Sequence, residues 1–346
     1  MLKRKLVKLG KSSLVISLPK EWLRELDLDA GDELGIVVGK DGCLKIIPPR
    51  YIMKTRTNPI VINVSKCKQP KILERVLIGA YVVGKDPIII ESETEFTSSH
   101  LDEIRSVIDK IRGLEIVKES HRHIVLRTFL DPTRYPLAGL LRRITNLTQT
   151  MIEYLLTAIK EKNKDFLEEI IYLENEIDRI YFSALREIFI AYKDEEIANA
   201  VGIKSISELL SLRIAVKMFE ILADTLAELA RQGMSLPGKL FSQIIVDAEV
   251  MMMLSDIKMA IDTITKTLIY GNVTLINELL NRIDLIKMRS RKVIELKEEG
   301  RLVNEDLRCW LREVAWKLTA MLDTIRVVAE LAINISIDKT EKKFKC

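Results

Sequence analysis

The chain has 346 residues, 48% hydrophobic and 30% charged, a balance that fits two or three globular domains able to bury sizeable cores. Its net charge of +4 is too small for a polycation, and no apolar run approaches the roughly 20 residues of a bilayer span. Four scattered cysteines (Cys43, Cys67, Cys309, Cys346) form no CxxC pair, so a reduced cytoplasmic protein is expected rather than a disulfide framework or a zinc site.

The opening MLKRKLVKLG lacks the apolar core of a secretory signal. It concentrates positive charge instead: residues 1–24 hold seven basic residues against Glu21 alone. Leu14, Ile16 and Leu18 then alternate with Val15 and Ser17, the period of a half-buried strand, after a Gly10-Lys11-Ser12 turn. Pro19 suits the first position of a short helix, KEWLREL. DAGDE (29–33) turns the chain into the strand ELGIVV, GKDG (39–42) has hairpin-turn composition before CLKII, and Pro48-Pro49 ends the unit. A unit of this size buries too little surface to stand comfortably alone, so an obligate dimer is predicted, with strands of both chains sharing one core. Its basic patch suits phosphate contacts by Lys3, Lys5, Lys8 and Lys11, a bidentate contact by Arg4, and donation from Ser12 and Ser13. The competing reading is a solvated basic surface.

Residues 58–130 read as a compact α/β unit that connects or dimerises. PIVINV (59–64) and PIIIES (87–92) are short strands separated by a helix near 70–83. A second helix, about 98–112, carries Leu101, Ile104, Ile108 and Ile111 at helical spacing, and LEIVKE with HIVLRTFL suggests a closing hairpin. His121 and His123 are expected to share one strand face, without the further ligands of a zinc site.

From residue 136 onward the pattern predicts six helices, with breaks near 163–165, 194–202, 233–238, 271–273 and 300–304. They divide into two sets of three, 136–232 and 239–337. FEILADTLAELA (219–230) is answered by LTAMLDTIRVVAELA (318–332), so an internal duplication of a three-helix bundle is expected. Trp310 and Trp316 read as core anchors or interface aromatics. No catalytic triad, activated thiol or acid/base pair appears, and no enzymatic activity is expected.

Residues 2–49, through KLGKSSLVISLPKEW and LDLDAGDEL, resemble the AbrB/SpoVT/MazE family of swapped-hairpin DNA-binding domains. The resemblance implies that two copies interlock into one β-barrel whose basic face lies on DNA. Residues 136–337 resemble PhoU, the cytoplasmic regulator of phosphate uptake and signalling, whose two three-helix repeats carry E/D-x-x-x-D motifs. Glu174-x-x-x-Asp178 and Glu220-x-x-x-Asp224 match in the first repeat. The second repeat departs: Asp284 and Asp323 remain, but Leu280 and Thr319 stand four residues earlier. Chains joining an AbrB-like head to a PhoU-like body are familiar from archaea.

The expected fold is thus mostly α, with a swapped-hairpin head (1–49), an α/β middle unit (58–130) and a duplicated helical body (136–337). For the acid pairs, i,i+4 spacing puts both carboxylates on one helix face, within reach of a common hard cation. At 100° per residue Glu174 lies roughly 40° from the centre of the Ile170–Ile177–Tyr181–Ile188 stripe and Asp178 roughly 80°. Glu220 and Asp224 sit further out on their helix, beside Arg213, Lys217 and Arg231, where surface ion pairing is the alternative to metal. The PhoU resemblance implies Fe, Zn, Mg or Ca at these motifs. The function expected is a homodimeric transcriptional regulator bound to DNA, linked to phosphate uptake or signalling. The alternative is a regulator acting by contact with a phosphate-transporter ATPase or sensor kinase, with the head serving only to dimerise.

Overall fold

The computed structural model describes residues 2–38, 42–48, 58–131, 136–242, 248–298 and 305–340. Most of the GKDG turn, Pro49, the expected break at 300–304 and Cys346 lie outside them. The chain divides into two compact units, Met1–Thr57 and Asn58–Cys346.

The first unit is two antiparallel hairpins with a short helix between them. β1 (Val7–Leu9) pairs with β2 (Ser13–Val15), and β3 (Gly35–Val38) pairs with β4 (Leu44–Ile47). The alternation at 14–18 gives a strand of only three residues, because Ile16–Pro19 leaves the pairing. Pro19 caps α1 (Lys20–Glu25) from the position before its first residue, accepting from Leu23 N at 3.1 Å. Each hairpin forms its own two-stranded sheet, and the large side chains of Leu6, Val7, Leu9, Leu14, Ile36 and Val38 are all exposed. An apolar display of this density is uncommon on a monomer.

The second unit opens with the α/β module. β5 (Ile60–Asn63) runs through α2 (Ile72–Val82) into the parallel strand β6 (Ile88–Glu91). α3 (Ser98–Lys110) follows, then the hairpin β7 (Leu114–Ser120) and β8 (His123–Thr128), giving the sheet order β5-β6-β8-β7. Alternate residues of the central strands (Ile88, Ile90, Ile124, Leu126) are buried against Leu77, Tyr81 and Val107 of the helices. Thr97 starts α3 with a reciprocal cap, accepting from His100 N at 3.3 Å while its own N–H donates to His100 Nδ1 at 3.4 Å.

Among the described residues the body contains six long helices: α4 (Leu137–Glu161), α5 (Asp165–Lys193), α7 (Ile206–Ser235), α9 (Ala248–Tyr270), α10 (Val273–Glu298) and α11 (Glu305–Asp338). Short helices α6 (Glu195–Ala200) and α8 (Gly238–Phe241) fill two of the connections. One continuous apolar core runs through both repeats. α7 is enclosed on nearly all sides, burying Leu212, Val216, Phe219, Leu222, Leu226 and Leu229. Trp310 belongs to this core at 4% exposure, whereas Trp316 is 68% exposed and lies outside it.

Basic residues of α5 hold the module to the body through helix C-termini, where carbonyls lack intrahelical donors. Arg186 Nη1 donates to the Tyr81 carbonyl at 2.5 Å and to that of Lys85 at 3.3 Å, and Lys193 Nζ donates to the Val83 carbonyl at 2.6 Å. Arg179 Nε reaches the Asp109 carbonyl near the end of α3 at 3.0 Å. Gly84 permits this approach. Its φ is +81°, and a Cβ there would stand 3.0 Å from Ile190 Cγ1 of α5.

Candidate functional site

The i,i+4 acid pairs of the first repeat fall on neighbouring helices, α5 and α7. Asp178, Glu220 and Asp224 converge there, each offering an oxygen within 4.8 Å of the others. Glu174 stands apart: Arg231 Nη2 donates to both of its carboxylate oxygens at 3.2 Å. Of the four expected ligands, three come together and the fourth is held by a guanidinium.

Glu220 lies deeper than its helical angle implied, at 8% exposure. The angle measured its distance from one apolar stripe, but α7 is packed on several faces. Lys217, one turn earlier, ion-pairs with Glu220 and sits 5.3 Å above the Tyr181 ring. Burial first, then the charges of Glu174, Asp224 and Glu220, push the Asp178 carboxyl up to about 7, with Lys217 opposing. Burial also raises Glu220 and Asp224 above the ordinary carboxylate range. Mutual repulsion of this kind is relieved by a proton or by a cation. Three oxygen donors without nitrogen or sulfur fit a hard cation such as Mg²⁺, Ca²⁺ or iron better than zinc.

The second repeat uses its acids differently. Asp284 of α10 ion-pairs with Arg326 of α11, and Asp323 of α11 ion-pairs with Lys287 of α10. Each of these aspartates is paired with a cation of the facing helix, so the two positions form crossed bridges. The histidines also differ from expectation. His121 falls in the turn between β7 and β8, and only His123 lies on a strand, its Nε2 3.9 Å from Glu91 Oε1. His121 and Arg122 form the two-residue turn, where a continuous strand through His121 and His123 was expected.

In the N-terminal unit Lys3, Arg4, Lys5, Lys8, Lys11, Ser12 and Ser13 are all exposed. Among the described residues none of the five cations has a carboxylate partner; Arg4 Nη1 makes only a 3.4 Å hydrogen bond to the Lys3 carbonyl. The hairpin register separates them by face. Lys8 stands opposite Leu14, whereas Ser13 stands opposite Leu9. Directly paired residues share a face and neighbours alternate, so Lys8 and Ser13 project to opposite sides of the ribbon. Lys11 and Ser12 occupy the turn at its tip.

A small hairpin unit whose five N-terminal cations have no carboxylate partner among the described residues, followed by a helical bundle with an acidic cluster, defines a two-part architecture. Residues 7–54 match the family model described as antidote-toxin recognition MazE, bacterial antitoxin, and residues 141–232, the first three-helix repeat, match the PhoU domain. The chain therefore joins a MazE/AbrB-type N-terminal domain to a PhoU domain. The crystal structure of the phosphate transport system regulatory protein PhoU from Streptococcus pneumoniae aligns over 60% of this chain and 98% of its own, at 16% identity and a TM-score of 0.46. No curated protein sequence matches the chain significantly. No helix among the described residues is long and apolar enough to cross a membrane.

Proposed function

We propose that the chain is a cytoplasmic, homodimeric, DNA-binding transcriptional regulator of phosphate uptake or signalling, with its PhoU-type body as the sensor. The observation that carries this reading is the N-terminal unit itself, which exposes both its apolar side chains and five cations without a carboxylate partner among the described residues. The apolar set calls for a second copy, since a unit of this size lacks a core of its own. The cations of two copies would then form one continuous field able to displace counterions from a duplex. Lys8 and Lys11, on the ribbon and at its tip, are the residues assigned to phosphate, with Lys3, Arg4 and Lys5 on the preceding arm.

In the body, Asp178, Glu220 and Asp224 would hold one hard cation between α5 and α7. Such an ion would neutralise three crowded carboxylates and tie two helices together; Glu174 joins only by leaving Arg231. A link to the head needs two body conformations that hold the heads differently. The exposed apolar residues alone would also suit the second reading, in which the head merely dimerises a regulator that contacts a phosphate-transport ATPase or sensor kinase. Genomic footprinting at low and high phosphate separates the two. The proposal expects occupancy upstream of phosphate-uptake genes that changes with phosphate; recovery of no DNA, together with nuclease-resistant co-purification of a transport or kinase subunit, would favour the second.

A further inference from the structure

A cavity of about 70 Å³ lies at the seam between the α/β module and the body, and none of the acidic cluster's carboxylates lines it. Two consecutive residues of α5 form its charged floor, Arg186 at 9% exposure and Glu187 at 5%. Arg186 stacks over the Tyr81 ring at 4.7 Å and bonds to backbone carbonyls. No carboxylate among the described residues lies within ion-pairing distance of it, and Asp86 acts on it only from further away. A buried cation with no anion in contact is costly, and an anion in the cavity would offset that cost.

Glu187 carries the complementary need. Its Oε2 is sealed from solvent and bonds to no described residue. Burial raises the carboxyl to about 8, so near neutrality it is a carboxylic acid with a hydrogen to donate. At the rim, Arg112 and Arg143 share Glu176, at 3.1 Å and 3.8 Å, and keep further N–H donors on each guanidinium. Asp131 at the rim tempers the positive field. The rest of the wall is largely apolar, from Leu130, Leu140 of α4, Ile180 and Ile190 of α5 and the Tyr81 ring, and the Ser183 hydroxyl on it donates to the Arg179 carbonyl at 3.0 Å.

A ligand for this cavity must accept from guanidinium groups, accept from a carboxylic acid, and cover aliphatic surface. Inorganic phosphate and sulfate meet the first two needs but would set charged oxygens against leucine and isoleucine. A cavity of this volume does not enclose a nucleotide or a sugar phosphate. We propose that this cavity binds a small monocarboxylate of two to four carbons, its carboxylate between Arg143, Arg186 and Glu187 and its alkyl part on Leu140, Ile180 and Ile190. The site spans the seam at which α5 grips the end of α2, so the bound acid stiffens the docking of the module on the body.

The test is isothermal titration of the full chain with sodium acetate, propionate and butyrate, against sodium chloride, phosphate and sulfate at matched ionic strength, at pH 6.5 and 9. Saturable one-to-one binding of a carboxylate is expected at pH 6.5, weakened about tenfold by Arg143→Gln, which removes one charge-assisted contact from an exposed position. Affinity should fall comparably at pH 9, where Glu187 turns from donor to repelling anion. Glu187→Gln, which keeps a donor, should bind at both pH values and so also reports that the fold is intact. The proposal is overturned by carboxylates no different from chloride, by phosphate or sulfate binding in their place, by affinity that Arg143→Gln leaves unchanged, or by binding indifferent to pH in the wild-type chain.

Discussion

Glu187 makes the stability of the body depend on pH in a direction opposite to the usual paired carboxylate. Its carboxyl titrates at about 8 in the folded chain, against an ordinary value of 4.5. Below about 4.5 both folded and unfolded chains hold the proton, and the residue imposes no dependence. Between about 4.5 and 8 only the folded chain holds it, so stability falls by about 1.4 kcal/mol for each pH unit of rise. Above about 8 both forms are ionised and the cost levels off near 4 to 5 kcal/mol, an order-of-magnitude figure. Glu187→Gln removes this slope. Urea unfolding of the wild-type chain and the variant, followed by circular dichroism at pH 5, 6 and 7, isolates the residue by difference. Stability of the wild type relative to Glu187→Gln should drop by about 3 kcal/mol from pH 5 to 7. A difference that stays constant across that range would refute the argument, because it would mean Glu187 is solvated or paired in the folded chain.

Three further predictions test other parts of the account. Calorimetric titration with Mg²⁺, Ca²⁺ or Fe²⁺ should find one site per chain whose affinity rises from pH 6 to 8 as Asp178 releases its proton. Asp178→Asn with Asp224→Asn should abolish that site, while Asp284→Asn with Asp323→Asn should leave it; the reverse pattern would move the site to the second repeat. Gly84→Ala places a Cβ at a φ of +81° against Ile190 and should cost about 1 to 3 kcal/mol in the same unfolding assay, with no loss showing that α2 and α5 can part freely. Sedimentation velocity should find the wild type as a dimer, with Leu9→Glu and Leu44→Glu together weakening association at least about tenfold, since two charges would enter the shared apolar surface; an unchanged dimer would place the interface elsewhere.

The succession of elements was legible because its signals are local. Alternation at 14–18, the short apolar run at 59–64, Pro19, the turn residues and the helical spacing of Leu101, Ile104 and Ile108 depend on residues near one another in the chain. The convergence of Asp178 with Asp224 was also approachable, since i,i+4 carboxylates on two helices of one repeat need only those helices to be adjacent. The depth of Glu220 was not legible, because one helix's periodicity cannot report how many neighbours enclose it. Arg231 holding Glu174, and the crossed Asp284–Arg326 and Asp323–Lys287 bridges, depend on the rotation of one helix against another. Arg186 and Glu187 left the least trace: consecutive charges inside a helix resemble a solvated face, and their burial comes from packing between the module and the body. The face on which Ser13 projects follows from hairpin register, which slips by one residue as easily as the turn does.

The N-terminal unit's role in DNA binding is tested most directly by fluorescence anisotropy of a labelled duplex of about 30 base pairs, titrated with the full chain over a series of salt concentrations. Each phosphate contact contributes about 0.9 to the slope of log affinity against log salt, and Lys8 and Lys11 from two chains supply up to about four contacts. The account predicts steeply salt-dependent binding by the wild type, and a slope shallower by about 3 to 4 in Lys8→Ala with Lys11→Ala. Absence of binding at about 50 mM salt, or a slope the double substitution leaves unchanged, would contradict it.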